Sequence, residues 1–144
     1  MMIYIDSSFL LSIIFEEEGS KISIDIWKSH EYRVSSILLE SECLVTLRRF
    51  YNNNKHKLGE NWFFLKEKAL NDLLEEVNIR IVDENITKYL RIEEGLASCR
   101  TLDAIHLATA LEFKNNSSTG IKICTYDINM RKTAQKMNLP VLPQ

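Results

Sequence analysis

The sequence predicts an α/β fold, a central parallel sheet of four to five strands flanked by helices in an α/β/α sandwich. Two observations carry that expectation. Short β-branched apolar runs alternate with longer stretches of helical period along the whole chain, and such alternation implies parallel strands joined by right-handed crossovers. The 144 residues lie near the length of one ordinary domain, and the 45% hydrophobic and 26% charged fractions supply a single core. No repeat, linker or low-complexity segment divides the chain, so residues 1–144 are expected to form one domain.

The elements follow in order. Met2 to Ile5 is a short apolar run that reads as a buried strand, and Ser7 or Ser8 offers an N-cap for a helix through Phe15 that Gly19 closes. Ile22, Ile26 and Trp27 mark a helix over residues 20–30, and Tyr32 to Ser35 a second brief strand. From Ser36, Leu39, Cys43, Leu47 and Phe50 fall on one helical stripe that runs into the polar break Asn52-Asn53-Asn54. A further helix is expected over 60–75, a weaker strand around Val77 to Val82, and a helix from about Asp83 to Leu96. Thr101 can cap a helix from Leu102 to Phe113, and the loop Asn115 to Gly120 separates it from a strand, Ile121 to Thr125. A helix near Ile128 to Met137 and a strand, Val141-Leu142, bracketed by Pro140 and Pro143, complete the pattern.

Several functions are excluded by composition. Four glycines, no two close together, cannot write either common glycine-rich phosphate loop. Cys43, Cys99 and Cys124 are odd in number, far apart and never in a C-x-x-C pair. They fit buried thiols in a reducing compartment better than disulfides or a zinc site, so a cytoplasmic location is expected. The most apolar stretch, Phe9 to Phe15, is far shorter than the roughly 20 residues a membrane helix needs, and no basic flank precedes it. The formal charge of -2 argues against a uniformly basic nucleic-acid binder but leaves the arrangement of charges open.

That arrangement contains a candidate site. In an open parallel sheet, ligands bind outside the carboxyl ends of the strands. The first strand ends on Asp6 and the Ile121 strand runs out to Asp127; if parallel, they bring both carboxylates to one edge. Asp103 sits in the first turn of a helix that starts at that edge, and the helix after the second strand carries Glu40 and Glu42. Singly, each acid has a plain structural explanation as a turn or helix-start residue. Together they would repel one another unless a cation held them, and an all-oxygen set suits Mg2+ or Mn2+. A carboxylate-held divalent ion activates water and neutralises a phosphodiester, so phosphodiester hydrolysis is the expected chemistry.

Other residues fall into supporting places. Ser7 and Thr125 flank the aspartates, where a hydroxyl can orient a carboxylate or simply satisfy the backbone, and Asn129 can offer an amide oxygen or cap the next helix. His106, three residues after Asp103, is read as a packed or hydrogen-bonded structural histidine before a general base. Cys43 to Gly59 holds no acid, while Arg48, Arg49, Lys55 and Lys57 lie among Phe50, Tyr51 and His56. Basic groups beside rings suit single-stranded RNA, through phosphate contacts and stacking. Phe50 is read as core, and Glu16 to Glu18 as solvated surface.

These stretches resemble a known family. Met2-Ile3-Tyr4-Ile5-Asp6-Ser7-Ser8, Ser36-Ile37-Leu38-Leu39-Glu40-Ser41-Glu42 leading to Leu47-Arg48-Arg49, Leu102-Asp103-Ala104-Ile105-His106-Leu107-Ala108-Thr109-Ala110, and Thr125-Tyr126-Asp127 with Leu139-Pro140-Val141-Leu142 are similar, in that order, to PIN-domain ribonucleases. Within them the chain most resembles the VapC-type toxins of toxin–antitoxin modules. The resemblance implies a PIN-like sandwich and a Mg2+- or Mn2+-dependent endoribonuclease that forms a homodimer, acts on RNA and is silenced by a cognate antitoxin. It carries Asp6, Asp103 and Asp127 over as catalytic, metal-binding acids, and its spacing to Leu47 and Arg49 selects Glu42 as the fourth. Glu40 would lie about 200° away around the helix. Asn129 stands where the family often has an acid, so the resemblance does not fix a second metal. Two other classes begin with a strand and an Asp. A haloacid-dehalogenase phosphatase needs a second Asp where this chain has Ser8, and a receiver-type phosphoacceptor needs adjacent acids after its first strand and a lysine after its last.

Overall fold

At the centre of the sheet is β1 (Met2–Ile5), every residue of which is buried, as a run without polar alternation requires. The computed structural model describes residues 1–144. β1 pairs in parallel with β2 (Tyr32–Ser36) on one side and with β4 (Ile121–Cys124) on the other. β3 (Asn78–Arg80) adds outside β2 and β5 (Val141–Leu142) outside β4, giving the all-parallel order β3-β2-β1-β4-β5. Strand order therefore reverses between β1 and β4, and the crevice at their carboxyl ends is where a ligand site is expected.

Period-two alternation in β1 feeds two cores. Ile3 and Ile5 pack with Phe9, Leu10, Trp27, Leu39, Leu47 and Leu70, against α1 (Ser7–Ile14), α2 (Ser20–Ser29), α3 (Leu38–Asn54) and α4 (Trp62–Leu74). Met2 and Tyr4 face the opposite layer with Ile86, Leu107, Leu111, Met130 and Ala134, from α5 (Glu84–Ile92), α6 (Thr101–Asn115) and α7 (Ile128–Lys136). This is the α/β/α sandwich that the alternation of elements predicts.

Several boundaries differ from expectation, each for a local reason. Asp6, not Ser7 or Ser8, is the N-cap of α1, its carboxylate accepting from the Ser8 N–H. Gly19 opens α2 at φ 93 rather than closing α1, which ends at Ile14 with Phe15 as its C-cap and Glu16 in the left-handed turn. The helix expected from Asp83 to Leu96 breaks at Glu93, whose backbone is extended, and continues as a 3-10 turn over Glu94–Ser98. Thr101 lies inside the first turn of α6 while Arg100 takes the cap position without a side-chain bond. The strand around Val77 to Val82 shortens to β3. Cys43 and Cys124 are buried free thiols, but Cys99 is only half-buried. Phe50 leaves the core stripe of α3 and is 41% exposed. No helix is long and apolar enough to cross a membrane.

Candidate active site

The chain brings four acids to the crevice from four different elements. Asp6 extends the ladder beyond β1, its N–H donating to the Cys124 carbonyl at 3.0 Å, and is almost fully buried. Three donors converge on its Oδ2: the Ser8 N–H at 3.3 Å, the Ser8 hydroxyl at 2.6 Å and the Thr125 hydroxyl at 2.7 Å. Its Oδ1 takes no protein donor. The same two hydroxyls accept from the other strand end, Ser8 Oγ from the Tyr126 N–H at 2.9 Å and Thr125 Oγ1 from the Asp127 N–H at 3.1 Å. The ends of β1 and β4 are thereby laced together around Asp6.

Asp127 caps α7, with Oδ1 accepting from the Met130 N–H at 2.8 Å and Oδ2 lying 3.5 Å from Arg100 Nη2. Asp103, in the first turn of α6, is 7% exposed, and its buried Oδ2 has no hydrogen-bond partner. Arg100 Nε lies 3.6 Å from that oxygen, outside hydrogen-bond range. Burial raises the Asp103 pKa above its ordinary value, the charges of Asp127 and Asp6 raise it further, and Arg100 and His106 oppose them. Glu42 reaches in from α3 and accepts from Nε2 of the fully buried His106, whose Nδ1 meets the Tyr4 hydroxyl at 2.7 Å. Burial depresses the His106 pKa, but its bond to Glu42 and the charges of Asp6, Glu42 and Asp103 leave it raised overall.

These residues fit a divalent cation. A buried carboxylate oxygen without a donor, beside two further acids that raise its pKa, is an arrangement a hard cation would satisfy. Carboxylate oxygens make up most of the donor set, those of Asp6 and Glu42 lying within 4.8 Å of each other and of a ring nitrogen of His106. A groove of about 690 Å3 opens beside the cluster, with Glu42 and Asp103 in its wall together with Ser7, Ser41, Arg49 and Arg100.

The remaining expected residues divide. Ser7 lines the groove, but its neighbour Ser8 is the hydroxyl on Asp6, and Thr125 is the second. Asn129 is exposed, and Asp127 rather than Asn129 caps α7. Glu40 is exposed on α3, away from the cluster. Arg49 lies in the groove wall. Arg48 sits 3.6 Å over the Phe63 ring and Lys55 5.7 Å from the Tyr51 ring, while Lys57 is exposed on the turn that follows α3. Trp62 stacks on both Phe50 and Tyr51, and Phe15 packs edge-on against Phe50. Arg48 and Lys55 thus join the rings of Phe50, Tyr51, Trp62 and Phe63 in one ridge across α3 and α4, and neither Arg49 nor Lys57 packs on those rings. The sequence marks Ser8 only as a candidate N-cap and assigns Arg100 and Trp62 no role. Only Arg100 had a signal, its spacing of three residues from Asp103 across a helix start.

The chain is similar to known proteins in sequence and in fold. The family model described as PIN domain matches residues 3–136. The chain is 30% identical over 142 residues to Ribonuclease VapC46 of Mycobacterium tuberculosis (strain ATCC 25618 / H37Rv), covering 97% of this chain and 95% of that protein. Its backbone is similar to a chain of a toxin-antitoxin complex from Klebsiella pneumoniae, with a TM-score of 0.63, 14% identity and coverage of 91% and 90% of the two chains. It is likewise similar to PAE2754 from Pyrobaculum aerophilum, with a TM-score of 0.62, 16% identity and coverage of 92% and 84%. At these identities the two structural likenesses speak to the fold.

Proposed function

Because this chain belongs to the PIN-domain family, we infer that it is an endoribonuclease, the toxin of a toxin–antitoxin pair, and that Asp6, Glu42, Asp103 and Asp127 hold its Mg2+ or Mn2+. The observation that carries the metal assignment is the unpartnered Asp103 Oδ2, buried beside two further acids. A divalent cation there would neutralise charge on a phosphodiester and lower the pKa of a water. The protein's own groups do the rest. Ser8 and Thr125 pin Oδ2 of Asp6, leaving Oδ1 for the crevice, and the α7 N-terminus similarly occupies one oxygen of Asp127. Arg49 in the groove wall is placed to take a backbone phosphate, and the exposed Arg48, Lys55 and Lys57 offer further positive charge for an RNA strand.

Arg100, 78% exposed and reaching toward both Asp103 and Asp127, supplies positive charge at the crevice mouth. The phosphatase and receiver readings find no support, since the hydroxyl of Ser8 donates to Asp6 where a phosphatase would need its second acid. The likeness to a chain of a toxin-antitoxin complex supports a cognate antitoxin as partner, and the resemblance to VapC-type toxins implies a homodimer. Free thiols at Cys43 and Cys124 agree with a cytoplasmic setting.

The test is direct. Protein stripped with EDTA should not cleave a single-stranded RNA, added Mn2+ or Mg2+ should restore cleavage, and Asp6→Asn should abolish it while the fold melts as before. Unchanged cleavage by Asp6→Asn would sink the assignment.

A further inference from the structure

We propose that His106 is a positioning residue of the acid cluster, fixing the Glu42 carboxylate toward Asp6 from a sealed place between Tyr4 and Glu42. The inference rests on the metal-nuclease reading above. Glu42 needs such a partner. Its long side chain reaches in from α3, its neighbours across the crevice are acids that repel it, and it takes no hydrogen bond from any other protein group. His106 is fully buried and stands edge-on to Tyr4, with ring centroids 5.7 Å apart. Because it follows Asp103 by three residues on α6, one helix both contributes an acid and reaches across to hold another.

Both ring nitrogens are occupied. An ionised carboxylate only accepts, so Nε2 carries a proton toward Glu42, and Nδ1 accepts from the Tyr4 hydroxyl at 2.7 Å. If the ring gains a second proton, Nδ1 donates to Tyr4 instead and the Glu42 contact is unchanged. The positioning therefore does not depend on the charge of His106. Nor is Nε2 free to ligate a metal, although a ring nitrogen of His106 lies within 4.8 Å of the Asp6 and Glu42 oxygens. Partners that orient a ligand in this way typically change metal affinity or activity by about 10- to 100-fold.

Two amides separate the two nitrogens. In His106→Gln the amide nitrogen falls near the place of Nε2 and can still donate to Glu42, whereas in His106→Asn it falls near Nδ1 and cannot. Mn2+ binding by calorimetry and RNA cleavage are measured on both, with thermal melts. The expectation is a loss of about 10- to 100-fold in Mn2+ affinity and kcat for His106→Asn, little change in KM, and recovery of most of the loss in His106→Gln. Wild-type behaviour of His106→Asn, or equal losses in both variants, overturns the proposal.

If neither variant folds, the wild-type protein decides. It has three histidines, so the imidazole nitrogen-15 spectrum is assignable, and Nε2 of His106 should keep its proton when Mg2+ is added. Loss of that proton would make His106 a ligand and refute the positioning role. A wild-type chain that binds no Mn2+ overturns the metal reading itself, and this one with it, and is thereby told apart from a failure of His106 alone.

Discussion

Replacing Asp103 with asparagine should make the metal-free protein more stable and the metal-loaded protein less so. Asp103 is 7% exposed, its Oδ2 has no donor, and the charges of Asp127 and Asp6 press on it. Leaving a buried acceptor unpaired costs about 1–3 kcal/mol. An isosteric amide removes the repulsion and brings two N–H donors toward the neighbouring acids. In EDTA the variant should therefore gain about 1–3 kcal/mol, which for a chain of this length is a rise in Tm of roughly 3–9 °C. In Mn2+ at about 1,000 times its Kd, the wild-type protein gains about 4.1 kcal/mol by mass action, and the variant, short of one ligand, gains little. The two melting curves should exchange order between EDTA and Mn2+. The pH adds a second axis. The raised pKa of Asp103 means that its protonated form is favoured in the folded state, so the wild-type handicap is absent well below that pKa and grows as pH rises through it. The metal-free advantage of the variant should shrink as pH falls from neutrality into the carboxyl range. Scanning calorimetry checks all of this. A variant that melts below wild type in EDTA at neutral pH, or an equal Mn2+ shift in both proteins, would refute the account of Asp103.

Two further substitutions test the crevice. Ser8→Ala removes the hydroxyl from Asp6 Oδ2 and from the Tyr126 N–H, and should lower kcat about 10-fold or more, whereas Ser7→Ala should leave it within a few-fold, as steady-state cleavage would read. Arg49→Ala should weaken RNA binding and flatten the dependence of log Kd on log salt by about 0.7, the share of one phosphate contact on a single strand, in fluorescence titrations from low to moderate salt.

Much of the site was legible in the sequence because two of its acids follow strands. An apolar run that stops on Asp6, and another that runs out to Asp127, commit both side chains to one edge once the strands are parallel, and the β1–β4 register Ile5↔Cys124 delivers that. The choice between Ser7 and Ser8 was not legible. It depends on how the first turn of α1 faces β4, and adjacent helical residues point roughly 100° apart. The ridge of rings was hidden for another reason. Phe15, Phe50 and Trp62 meet across three separate helical segments, and no one-dimensional period marks a contact of that kind. Phe50 illustrates the consequence: its spacing puts it on the core stripe of α3, yet it sits at the exposed end, covered by Trp62 rather than by the sheet.

The lacing of Asp6 by Thr125 joins residues 119 positions apart, and this fixes when the crevice can exist during synthesis. A ribosome releases Asp6 early, but β4, which pairs directly with the strand before it, comes after α6, and Asp127 later still. Until that last quarter of the chain clears the tunnel, the second of the two hydroxyls that pin Asp6 and the acid beside it have not been delivered. A nascent chain of this topology thus carries no assembled cleavage centre near the message being read, and the capacity to cut RNA arrives with the final βαβ unit.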